Sequence, residues 1–145
     1  MGTKAVVHVD LRPVNYGKDV WIATHWDGYP EGLGESLKEE IKKEISRAKE
    51  KMKKFDAKGK IDMGAVLEKA VWKGAAEHAI DTSSTDGKSE FDKLYGDWAE
   101  YEYDVDAKTG KIKVRERTGD WQSAKIGSWK SLEKALAKEK LKKVV

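Results

Sequence analysis

Cysteine is absent from this chain of 145 residues, and that gap closes several routes at once. It excludes thiol nucleophiles, Cys-ligated zinc, disulfides and redox switching, and it is compatible with a reducing interior. Side-chain amides are nearly absent too: Asn15 is the only Asn and Gln122 the only Gln. No apolar run approaches the roughly 18 residues of a membrane span, and no signal-like apolar stretch opens the chain. The sequence therefore predicts a cytoplasmic protein with no membrane partner. Charge of one sign is also in short supply. The net charge of +3 is small beside 29 basic and 26 acidic residues, too small to imply nucleic acid by itself.

What the chain has instead is charge of both signs. Lys, Arg, Asp and Glu make up 38% of it. Combined with the scarcity of thermolabile amides and thiols, this is the pattern expected of a protein from a hot environment. The length suits a single domain over residues 1–145, large enough to bury roughly 68–70% of its unfolded surface without covalent staples.

Period-two alternation of Ala5, Val7, Val9 and Leu11 against Lys4, His8 and Asp10 predicts a first strand. Arg12 to Gly17 supplies turn residues, and the β-rich run Lys18 to Trp26 completes an antiparallel hairpin. Apolar groups on both faces of this second strand place it inside the sheet. Leu33, Leu37, Ile41, Ile45, Ala48, Met52 and Phe55 then recur at helical spacing, with Pro30 in the first turn. Asp62 can cap a second helix with the stripe Met63, Val66, Leu67, Ala70, Val71, Gly74 and His78. The two helices should form an antiparallel pair over one sheet face. Residues 82–90 read as a flexible loop. A second hairpin carries Ala99, Tyr101, Tyr103 and Val105 on one face and turns at Asp106 to Gly110. A last helix, capped by Ser128 or Ser131, turns Trp129, Leu132 and Leu136 inward, and residues 139–145 should fray. The prediction is an α+β fold in ββααββα order: a four-stranded, mainly antiparallel sheet with helices packed on one face.

Lys111, Lys113, Arg115 and Arg117 alternate, so all four project from one face of the last strand. A phosphate-binding ridge is one reading. Pairing Val105 with Gly110, however, sets Asp104 opposite Lys111, Glu102 opposite Lys113, Glu100 opposite Arg115 and Trp98 opposite Arg117. Each cation then meets an anion or a ring, contributing roughly 0.2–1 kcal/mol and fixing register. A surface shaped for phosphate should not neutralise its own cations, so nucleic acid is not an expected partner. The first long helix tells the same story: eight Lys/Arg between Glu35 and Lys54 are interleaved with five Glu, as on a solvated face.

The chemically richest stretch is the strand-to-helix junction. His25, Asp27, Tyr29 and Glu31 place an imidazole, two carboxylates and a phenol within seven residues, on a connection held by rigid elements. Such groups could ligate a divalent metal or act as an acid/base pair, with a further ligand from His8 or His78. The metal set would be His25, Asp27 and His8. The same residues also serve as architecture. Asp27-Gly28 is turn chemistry, Tyr29-Pro30 presets the helix entry, and Trp26 is an anchor. A P-loop is excluded, because its strand–GxxxxGK[ST] pattern is missing and Glu31 and Glu35 would repel an anion. Trp72 lies off the stripe of the second helix, where it either buries against the sheet's other neighbours or forms part of a partner surface.

The run Ile22-Ala23-Thr24-His25-Trp26-Asp27-Gly28-Tyr29-Pro30-Glu31-Gly32-Leu33-Gly34 resembles the signature of a family of small uncharacterised proteins, common in phages and found also in bacteria and archaea. Asp97 to Arg117 followed by Trp129 to Ala137 is similar in outline to that family's ending. The resemblance implies a β-hairpin, the motif and then a helix; it implies no activity. Together these readings favour a binding or interaction module over an enzyme, with His25, Trp26, Asp27, Tyr29 and Glu31 as its recognition site. The expected partner is another protein or a second copy of the chain, and no cofactor is predicted. The competing classes are a metal-assisted hydrolase centred on His25, Asp27 and Glu31, and a structural homodimer.

Overall fold

Alternating β-branched residues make β1 (Ala5–Asp10) and β2 (Asp19–Thr24), which pair antiparallel through His8 opposite Trp21 and Asp10 opposite Asp19. A single 3-10 turn over Arg12–Val14 and a left-handed Asn15 (φ 59°) carry the chain between them. The computed structural model describes residues 3–24, 28–54, 61–76, 79–81, 99–118 and 125–137. Next come α1 (Glu35–Lys54), α2 (Met63–Ala76) and β3 (Ala79–Asp81). The second hairpin is β4 (Tyr101–Val105) and β5 (Ile112–Thr118), followed by two-residue strands β6 (Lys125–Ile126) and β7 (Lys130–Ser131). A last helix, α3, covers residues 132–137.

The α+β class holds, but the sheet differs from the four-stranded, mainly antiparallel one expected. Five strands in the order β3-β2-β1-β4-β5 form a mixed sheet, and β6 and β7 both pair with β5. The added member β3 extends the β2 edge, where the register shifts between Ala23 and Thr24. At the centre, β1 and β4 run parallel, with Val7 opposite Tyr103 and Val9 opposite Val105. Alternation fixes which side chains point inward but not the direction of a neighbour; a parallel pair needs only a long crossover, and α1, α2 and β3 lie within it.

One face of this sheet holds the core. Ala5, Val7, Val9, Val20, Ile22, Tyr103, Val105, Ile112 and Val114 cluster with Leu33, Leu37 and Ile41, Leu67, Ala70 and Val71, and Leu132 and Leu136 from the helical side. Gly74 passes beside Leu37 while Lys69 and Lys73 reach Glu44, so α1 and α2 run antiparallel as the short link predicts. Asp62 caps α2, its carboxylate accepting the Ala65 N–H at 3.2 Å, and Ser131 rather than Ser128 caps α3 through the Lys134 N–H at 3.3 Å.

Two finer expectations change. The β4–β5 register is displaced by two residues: Val105 pairs with Ile112, Asp104 with Lys113 and Glu102 with Arg115. Asp106 captures the N–H groups of Lys108 and Thr109, and Gly110 takes φ +75°, so the connection uses 106–111. An even displacement leaves every side chain on its predicted face. Trp129 is 41% exposed instead of inward, lying 4.5 Å over the Arg115 guanidinium. Of the two readings of Trp72 the structure bears out burial, the ring being partly buried against the main core. The flexible loop at 82–90, the fraying end at 139–145 and His78 lie outside the described residues. Among the described residues no helix is long and apolar enough to cross a membrane.

Candidate functional site

The junction is built on Gly28. Its N–H donates to the Thr3 carbonyl at 3.0 Å, and its own carbonyl accepts the buried Tyr103 hydroxyl at 2.6 Å. A Cβ at Gly28 would stand 2.7 Å from both Ala5 Cβ and the Thr3 oxygen, so only glycine lets the connection lie this close to β1. Tyr29 is extended (φ −70°, ψ 160°), and Pro30 opens a five-residue π-turn, Pro30–Gly34, that runs into α1. Pro30, Leu33 and Gly34 are buried. At Gly34 a Cβ would meet Leu132 Cδ1 at 2.7 Å, which is how α3 approaches the turn. The missing side chain at Gly34 is thus what lets a neighbouring element approach.

Against this fixed backbone Tyr29 is 37% exposed, and Glu31 is half-buried in the first turn. Tyr29 and Trp129 are the large hydrophobic side chains exposed among the described residues. His25, Trp26 and Asp27 lie outside the described residues.

His8, the remaining metal candidate, sits on β1 on the face away from the helices. Its Nδ1 is 2.8 Å from Asp104 Oδ1 and its Nε2 is 2.5 Å from Asp19 Oδ1. The ring stacks on Trp21 with centroids 3.8 Å apart. Asp19 is buried and also lies 3.8 Å from Arg12 Nη2, while Arg12 forks onto Asp10 at 2.8 and 3.0 Å. An ionised carboxylate only accepts, so both ring nitrogens must donate, and the ring is an imidazolium. Burial opposes that charge. The hydrogen bonds to Asp104 and Asp19, with their negative charges, outweigh it and hold His8 above its ordinary value. The Arg12 hydrogen bond likewise holds Asp10 below the usual carboxylate range despite partial burial.

An imidazolium that donates from both nitrogens has no lone pair for a metal or a proton while this arrangement stands. Among the described residues no group of three or more His, Asp or Glu is arranged to hold a metal ion. Sequence reasoning placed His8 on the polar face but missed its partners. The hairpin alone could have given Asp19, two residues from Trp21 on the strand facing His8. Asp104 arrives through the parallel pairing, which no local pattern encodes. No protein-family model matches the chain, and neither does any curated protein or solved structure.

Proposed function

We propose that this protein is a binding module whose recognition surface is the strand-to-helix junction, with Tyr29 and Glu31 presented to a protein partner. The observation that carries the reading is an aromatic ring 37% exposed on a backbone tied by hydrogen bonds to Thr3 and Tyr103. Ordering costs at such a site are met in folding, so little remains to be lost on binding. Tyrosines of this kind are enriched among the residues that dominate interface energy. The similarity of residues 22–34 to a phage-associated signature fits an interaction role exchanged between mobile elements and hosts. His25, Trp26 and Asp27 belong to this surface in the proposal.

The competing hydrolase would use His25, Asp27 and Glu31 around a divalent metal. A thermal-shift screen of the wild type and His25→Ala against divalent metals and nucleotides separates the two. The binding reading expects neither midpoint to move with metal or nucleotide, since only a ligand that binds the native state in preference to the unfolded one raises stability. A metal-dependent rise that His25→Ala abolishes would favour the hydrolase. A midpoint that climbs with protein concentration and answers no ligand would favour the homodimer.

A further inference from the structure

Several cations among the described residues are held by carboxylates. Arg12 is held by Asp10, Lys18 by Glu68, Arg115 by Glu102, and Arg47, Lys69 and Lys73 by Glu44. A groove between α1 and the β4–β5 connection gathers several cations that are not. It has a volume of about 430 Å³, a floor of Ile41, Ile45 and Ile112, and a rim that includes Lys38, Lys42, Lys49 and Lys111. Among the described residues none of these four ammonium groups lies within ion-pair distance of a carboxylate. Glu133 is the single acidic side chain on the lining. Concave walls with like charges above an apolar base concentrate positive potential in the groove.

We infer that this groove is a second binding site, one that takes an extended acidic peptide segment with alternating apolar residues. Its charge and the spacing of its lysines point to that occupant. Lys38 to Lys49 spans about 16 Å along the helix axis. Lys38 and Lys42 are about 6 Å apart along α1, close to the roughly 6.7 Å between alternate residues of a strand. Carboxylates on one side of the peptide can therefore meet successive lysines while the other side contacts the isoleucine floor. The lysine stems add apolar wall, and their charged heads stay in water. The inference does not rest on the junction, and Tyr29 takes no part in it.

The test is a polarisation titration of the full chain with a labelled hexapeptide of alternating glutamate and leucine, at low and at high salt. Three comparison probes are hexaglutamate, a single-stranded oligonucleotide and vesicles containing anionic lipid. Saturable binding is expected, weakened by salt because the lysines are exposed. Hexaglutamate should bind at least tenfold more weakly, as should the Lys42→Glu/Lys49→Glu variant toward the alternating peptide. Lys53→Glu, on the same helix outside the groove, and Tyr29→Ala should bind it like the wild type. If the double reversal lowers the thermal midpoint, Lys42→Gln/Lys49→Gln replaces it. Absence of binding, binding indifferent to the groove substitutions, equal affinity for hexaglutamate, or tighter binding of oligonucleotide or vesicles would each overturn the inference.

Discussion

Around His8 three residues that sequence spacing keeps far apart settle a single charge state. Asp19 brings a buried carboxylate, Asp104 a half-exposed one, and Trp21 covers the ring face. Removing the imidazole would leave Asp19 buried with Arg12 only at 3.8 Å. His8→Asn should therefore lower stability by about 3 kcal/mol, the low end of the cost of stranding a buried charge. Because the folded value of His8 is raised, its contribution is complete below the unfolded value near 6.5 and is lost as pH rises through the folded value. The groups facing it are Asp19 from β2 and Asp104 from β4, with Asp10 and Arg12 nearby. Urea unfolding at pH 6 and pH 9 should show the wild type losing stability with rising pH and His8→Asn losing much less. Equal slopes for the two proteins would count against the imidazolium clamp.

At the level of elements, most of the chain was legible because patterning and local chemistry agree. The stripe of α1, the Asp62 cap and the inward faces of β1 and β4 follow from spacing alone. What escaped were features that depend on a distant neighbour. The Asp106 side chain competes for turn N–H groups and so lengthens the second connection, and Arg115 holds Trp129 at the surface. Glu44 is a further case. It sits on the buried side of α1, where the sequence offers no reason for a carboxylate until Lys69 and Lys73 of α2 and Arg47 of its own helix are in place. Burial opposes its charge, and the hydrogen bond from Lys73 with the charges of Lys69 and Lys73 prevails, holding it below the usual range. Glu44→Gln should cost about 1.5–3 kcal/mol at pH 7, the range for hydrogen bonds to charged groups. A depressed folded value makes that contribution present above the unfolded value near 4.5 and lost as pH falls. The difference between the two proteins, read from thermal midpoints, should shrink toward pH 3. A gap unchanged by acid would assign the cost to packing.

For the whole molecule, the fold class was readable and the topology only in part. Hydrophobic alternation marks a strand and its buried face, yet it is silent on whether the next strand in space runs with or against it. The parallel β1–β4 pair, which brings Asp104 to His8, lies beyond local reasoning for that reason. The junction fared differently: its helix-entry role was visible in Pro30, and the tertiary ties through Thr3, Tyr103 and Leu132 were not. In the proposed function those ties make the junction a rigid display of Tyr29, and this is its central claim. The most direct measurement of it is selection of a random-peptide display library on the Lys42→Glu/Lys49→Glu protein, so that the cationic groove does not compete. Enriched peptides are then titrated against Tyr29→Ala in the same background. The account predicts at least tenfold weaker binding, about 1.4 kcal/mol, with an unchanged thermal midpoint. Enriched peptides that bind Tyr29→Ala as tightly as the parent would contradict it.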